Sequence, residues 1–342
     1  MKIPFLPLLI GSLPHTNPEE GVEAVFRFFP DSPTWPQFPK ISHYEGMNLQ
    51  YLENIPGWFV NQDKLIFKRA ENNIDEISEF LEYALDDKYE KFYITEKRAI
   101  GLSIFLKKLR DKKKPAYIKG QVIGPVTFLA SHILEDGTRL YKDEVYAEAI
   151  PLFLRQKALF QYYEFKKISP GSDVIIFFDE PILSEIGSAV TNIELSTAEK
   201  ILNRALENVP FIAGMHICGN SDWDFVLRLP ISIINFDAYN YLDEFLLYRK
   251  SVKEFISKGN SIALGIIPTD KEELSMIDEK LLMTKTLYAI ENLKDISGEQ
   301  EISDRIIITP SCGMGALEVE ESEKVFYLIN YLIEELKRYY KN

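Results

Sequence analysis

The 342-residue chain has a formal charge of −13 and no basic stripe beyond Lys112-Lys113-Lys114, which argues against nucleic acid and anionic membranes as partners. Its 46% hydrophobic and 27% charged residues are those of a globular protein with a large core, and two cysteines leave no disulfide framework. No apolar run reaches the ~18 residues that span a bilayer. The Met1–Ile10 stretch is broken by Pro4 and Pro7 and lacks a small-residue cleavage site, so a cytoplasmic protein is expected.

Apolar runs of strand length alternate with longer amphipathic stretches. Leu8-Leu9-Ile10 reads as a strand ending in Gly11-Ser12. A helix follows, with Asn17 as its cap, Pro18 at its first position and Glu19-Glu20 in its first turn. Residues 30–61 are irregular and rich in proline and aromatic residues, a composition that predicts the wall or lid of a pocket rather than disorder. A helix over Asn73–Leu85, a short strand over Lys91–Thr95 and a helix near Ser103–Arg110 come next. The strand Ala116–Val122 then runs into Ile123-Gly124-Pro125-Val126-Thr127.

A helical period covers Asp143–Lys167. The apolar run Val174–Phe178 ends in Asp179-Glu180-Pro181. After a helix over Thr197–Glu207, the strand Val209–Gly214 leads into Met215-His216-Ile217-Cys218. Ile231–Phe236 ends in Asp237 and is followed by a helix near Glu244–Ser257. Ser261–Pro268 is the next strand, and a helix over Asp278–Asn292 follows it. Arg305–Thr309 leads into Pro310-Ser311-Cys312-Gly313, and a helix from Glu320 to about Tyr339 closes the chain. Eight near-continuous apolar strands separated by helices predict a single (β/α)8 TIM-barrel domain over residues 1–342, with an aromatic, proline-rich N-terminal loop insertion.

In such a barrel the active site forms at the carboxyl ends of the strands. Those ends carry Ser12, Gln121, Asp179-Glu180, His216, Cys218, Asp237, Pro268 and Cys312. One histidine or cysteine there is more often a structural residue. Three, at two equivalent strand ends and with no other cysteine in the chain, form a donor set suited to zinc. Asp237 is either an exchangeable fourth ligand, and so catalytic, or a helix cap. Two thiolates and an imidazole make the metal a weak Lewis acid for producing hydroxide but a good holder of a substrate thiolate, which points to alkyl transfer to sulfur. Asp179-Glu180 offers a carboxylate for an ammonium or for general-base work, or else a structural ion pair. Neighbours on a strand point opposite ways, so at most one of the two faces the mouth.

Six segments in order, Ile10-Gly11-Ser12, Gly124-Pro125-Val126-Thr127, Asp179-Glu180-Pro181, His216-Ile217-Cys218, Ile233–Asp237 and Pro310–Gly313, resemble the catalytic domain of cobalamin-independent methionine synthase. That domain belongs to a superfamily with uroporphyrinogen decarboxylase and the corrinoid-dependent coenzyme M methyltransferases. The resemblance implies Zn2+ on His216, Cys218 and Cys312, and homocysteine as the thiol that is methylated to methionine. It implies that the Ser12 region takes the substrate carboxylate and that Asp179 and Glu45, in His43-Tyr44-Glu45-Gly46-Met47, take the ammonium. Glu180 is the other acidic candidate for contact with substrate.

The departures from the family are Asp237, where its zinc ligand is Glu, and Phe128–His132, where it carries tryptophan. One barrel is expected in place of two. These imply a short form whose methyl donor is either methyl-folate or a methylcorrinoid on a separate protein, since no corrinoid-binding Asp-x-His-x-x-Gly loop occurs. The rival expectations are a coenzyme M methyltransferase, a tetrapyrrole decarboxylase and a non-catalytic zinc-binding partner of a corrinoid protein.

Overall fold

The computed structural model describes residues 4–61, 64–112, 114–186, 191–298 and 302–340. Met1–Ile3 of the N-terminal stretch and Lys113 of the lysine run lie outside them. Among the described residues there are ten strands: β1 (Leu6–Pro7), β2 (Trp58–Asn61), β3 (Lys64–Phe67), β4 (Tyr117–Ile123), β5 (Ile133–Leu134), β6 (Asp173–Asp179), β7 (Ile212–Ile217), β8 (Ile233–Phe236), β9 (Ser261–Ile267) and β10 (Ile306–Pro310). Seven form one sheet in the order β1-β10-β9-β8-β7-β6-β4, every pair parallel. β2, β3 and β5 form a small separate sheet. The architecture is α/β, a parallel sheet under helices, and no described helix is long and apolar enough to cross a membrane.

β6 shows why the sheet is buried on both faces. Ile175 and Phe177 point inward with Leu6, Leu8, Tyr117, Ile233, Ala263 and Ile307 to form an inner core. Val174, Ile176 and Phe178 point outward into the larger core beneath the helices. Gly214, the β7 register partner of Phe177, leaves room for that ring; a Cβ at 214 would lie 2.1 Å from it. Two helices start at side-chain caps, the first of them the predicted Asn17. Asn17 accepts from Glu19 N and Glu20 N at the head of Pro18–Phe28, and Asp143 accepts from Val145 N and Tyr146 N at the head of Glu144–Ile168.

The first strand lies at Leu6–Pro7 rather than at the expected Leu8–Ile10, with Leu8 N still bonded to Ile308 O at 3.1 Å, and Trp58–Asn61, expected to be irregular, pairs with Lys64–Phe67. Two further expectations about strands need correction. Lys91–Thr95 is not a strand; Tyr89–Phe92 is a 3₁₀ turn. Its Phe92 is buried against Phe80 and Phe153, 5.7 and 5.6 Å away between ring centres, so helix packing rather than a sheet takes up its apolar side chain. The other correction concerns residues 31–37, read as loop. Their backbone pairs with β4 on one side, Tyr117 N to Asp31 O and Trp35 N to Lys119 O, both at 2.9 Å. On the other side it meets the residues after β1, through Gln37 N to Gly11 O (3.1 Å) and Leu13 N to Gln37 O (2.8 Å). This stretch therefore bridges the two edges of the seven-stranded sheet. Pro33 and Pro36 have no N–H to donate, which limits the pairing to isolated bridges and hides it from pattern reading.

Candidate metal centre and thiol pocket

β7 runs further than its apolar stretch suggests, through His216 to Ile217. His216 and Cys218 are two residues apart, so an extended chain sends both side chains to the same face without a break. Cys312 follows the end of β10 by two residues. Folding brings the three together: His216, Cys218 and Cys312 each offer a ligand atom, and these atoms all lie within 4.8 Å of one another. His216 Nε2 is 3.8 Å from Cys312 Sγ. Metal–sulfur and metal–nitrogen bonds of zinc meeting at a tetrahedral angle would hold those two atoms roughly 3.6 Å apart, so this donor set fits such an ion with little movement.

The electrostatics suit a metal too. Hydrogen bonds from Cys312 and His216 pull the Cys218 thiol down to about 4. The Cys218 thiolate and burial push the Cys312 thiol up. Burial disfavours the charged form of His216, but its hydrogen bond to Cys218 and the charges of Asp179 and Cys218 outweigh this and raise it. A divalent cation among these groups would supply the charge that two adjacent thiolates lack.

Beside the cluster lies a cavity of about 320 Å³, lined among others by Ser12, Gln37, Glu45, Met47, Asp179 and the three candidate ligands. Residues 37–47 supply one wall, as expected of the aromatic, proline-rich stretch. Asp179, the register partner of His216, is buried, and its Oδ1 has no hydrogen-bond partner. Burial raises its carboxyl to about 6, against the opposing charges of His216 and Lys119. Glu180 turns the other way, as strand alternation requires. Its carboxylate accepts from Val126 N (2.9 Å), Thr127 N (2.8 Å) and Thr127 Oγ1 (2.6 Å) at the head of the helix Pro125–Ser131. Gly124 makes this possible, since a Cβ there would lie 2.0 Å from the Glu180 carboxyl carbon. Of the acidic pair, only Asp179 lines the cavity.

Glu45 lines it as well, but its oxygens accept from Phe38 N (2.9 Å) and Ile100 N (2.7 Å). Burial raises its carboxyl above the usual range and these bonds oppose the rise. Ser12 Oγ accepts from Gly315 N at 3.2 Å, joining the turn after β1 to the turn carrying Cys312. Asp237 caps the helix Ala238–Leu246: Oδ1 accepts from Asn240 N (3.1 Å) and Oδ2 from Asn240 Nδ2 (2.9 Å). Burial raises it, and the Cys218 charge adds to the rise, so it stands near the cluster without belonging to the three-residue group. Gln121 lies in the layer below, where its Nε2 donates to Trp35 O at 3.0 Å.

Two site residues escaped the sequence reading. Asn235 is the polar interruption in Ile233-Ile234-Asn235-Phe236, opposite His216. Lys119 is a charged residue inside β4, fully buried, with Nζ donating to Ile10 O at 2.6 Å. A polar side chain in the middle of an otherwise apolar strand was the available signal in both.

A methionine synthase from Methanocaldococcus jannaschii is 25% identical over 219 residues, 64% of this chain and 65% of that protein. A B12-independent methionine synthase from Shewanella, in complex with selenomethionine, superposes with a TM-score of 0.61 at 14% identity over 98% of both chains. The chain resembles methionine synthase in sequence and in fold. A putative B12-independent methionine synthase from Listeria monocytogenes gives the same TM-score of 0.61 at 16% identity, over 97% of this chain and 98% of that one. A methyltransferase from Methanosarcina mazei follows at 0.55 and 14%, over 92% and 86%. No family model matches. The methionine synthase likeness expected from the six ordered segments therefore holds, and the parallel α/β architecture is common to these structures.

Proposed function

We propose that the protein is a zinc-dependent methyltransferase that transfers a methyl group to the thiol of homocysteine, forming methionine. One observation carries this reading: an imidazole and two thiols converge beside a cavity lined by a buried carboxylate, Asp179, whose Oδ1 has no hydrogen-bond partner. The methionine synthase relative and the selenomethionine bound to the Shewanella protein support a sulfur amino acid as the occupant. We also read residues 31–37 as the eighth stave of a single-domain barrel, on the strength of their bonds to both sheet edges.

Zinc held by His216, Cys218 and Cys312 would present a bound thiol as a thiolate at neutral pH. The protein's own residues do the positioning. Asp179 receives the substrate ammonium, with Glu45 adding negative charge from the wall formed by residues 37–47, and the Ser12 turn receives the carboxylate. Asp237, close to Cys218, is the candidate exchangeable ligand; leaving its Asn240 partner would free an oxygen for the metal. The donor is methyl-folate or a methylcorrinoid carried by a separate protein.

The Asp179 carboxylate on the cavity wall disfavours coenzyme M, whose sulfonate it would repel. A tetrapyrrole acid needs cationic grips, and none of the cavity's described lining residues is Arg or Lys. In the direct test, purified protein binds one zinc and Cys312→Ser does not. Unchanged zinc content in that variant would refute the site. Single-turnover reactions with homocysteine, run in parallel with methyl-folate and methylcobalamin, identify the donor; no methionine from either would leave a zinc-binding protein without this activity.

A further inference from the structure

We propose that Asn235 is a positioning residue that decides which nitrogen of His216 is free to hold a metal. This deepens the function proposed above and rests on its metal site. Asn235 is the register partner of His216 on the adjacent parallel strand, so both side chains lie on the inner face of the sheet, and Asn235 is fully buried.

An amide can be placed two ways round, and the neighbours of Asn235 decide between them. One is the Ala263 carbonyl oxygen at 3.0 Å, which can only accept, so the group facing it is the NH2. The second amide hydrogen goes to Thr309 Oγ1 at 2.7 Å. Oδ1 is left facing His216 Nδ1. That oxygen can only accept, so Nδ1 must carry a hydrogen and donate it. The imidazole lone pair is then confined to Nε2, the nitrogen on the side of Cys312.

Reversing the amide would set oxygen against the Ala263 carbonyl. The preference is therefore built into three neighbouring strands, β8, β9 and β10, and the imidazole inherits their rigidity. The acceptor is also neutral. A carboxylate at position 235 would orient the ring similarly but would add negative charge beneath two thiolates and leave the Ala263 carbonyl without its donor. An amide orients the ligand without either effect.

The test uses zinc-loaded protein titrated with a chromophoric chelator. Asn235→Ala is expected to weaken zinc binding by roughly 10–100-fold. Thr309→Val, which keeps the amide but removes one of its two acceptors, is expected to fall between that variant and the wild type. In cadmium-substituted wild-type protein labelled at the histidine nitrogens, the metal spin should couple to His216 Nε2, with a proton on Nδ1. Equal affinity in wild type and Asn235→Ala, or coupling to Nδ1, would overturn the proposal. If Asn235→Ala does not fold, the coupling pattern and the Thr309→Val affinity decide in its place. A wild-type protein that binds neither zinc nor cadmium would overturn both this inference and the function beneath it.

Discussion

Asp179 and Glu180 are adjacent and chemically alike, yet folding gives them different tasks. Strand alternation sends Asp179 to the cavity with an unpartnered oxygen, and sends Glu180 outward to the end of the helix Pro125–Ser131, where Val126 and Thr127 hold it. Their separation follows from the two-residue period of a strand, which the sequence already implies. Which of the two faces the cavity does not follow from it. Asp179→Asn removes the charge and keeps the shape. A hydrogen bond to a charged partner contributes about 1.5–3 kcal/mol, so kcat/KM for homocysteine should fall roughly 10–150-fold, mainly through KM, while zinc content stays at the wild-type level. A KM that does not move would remove Asp179 from ammonium recognition. Glu45 and Asp237 show the limit of motif reading. Both types and positions were legible, but their bonds to Phe38, Ile100 and Asn240 depend on segments distant in sequence or on the exact start of a helix.

At the scale of elements, the apolar strands β4, β6, β7, β8, β9 and β10 and the helices headed by Asn17 and Asp143 were readable because periodicity and capping are local. The run Lys91–Thr95 was misread because five residues with two aromatics fit a strand as well as an anchored turn. Residues 31–37 were missed because proline conceals a chain that pairs through alternate groups. Close packing between elements is also invisible locally. Gly214 has an unremarkable place in an apolar run, but Phe177 on β6 fills the space a side chain would need. Gly214→Ala is expected to destabilise the fold by about 1–3 kcal/mol, seen as a lower urea midpoint. A midpoint equal to that of the wild type would mean that the ring moves aside at no cost.

For the whole molecule, one buried cation ties distant parts together. Lys157, on the helix Glu144–Ile168, is fully buried and donates to the carbonyls of Glu53 and Tyr93, the latter at 2.8 Å. Burial lowers its pKa to about 7, with the Glu53 charge opposing that fall. The unfolded chain, whose lysine titrates near 10.5, therefore binds more protons than the folded one between pH 7 and 10.5. Stability attributable to Lys157 should rise with pH across that window. Melting temperatures from pH 7 to 9 should rise more steeply in the wild type than in Lys157→Met, where the buried Lys119, also lowered to about 7, keeps its own share of the rise. Identical pH slopes would show that the ammonium is not desolvated.

The sequence by itself determined the alternation of strands and helices, the soft-metal character of a histidine with two cysteines at strand ends, and the six ordered segments that resemble methionine synthase. Each is a local property of period, residue type or order. Only the tertiary structure decided that residues 31–37 bridge the sheet edges, that Asp179 rather than Glu180 meets the cavity, and that Asn235 faces His216 with its oxygen. These depend on strand register and on the parity of each side chain, and a shift of one residue in either would reverse them.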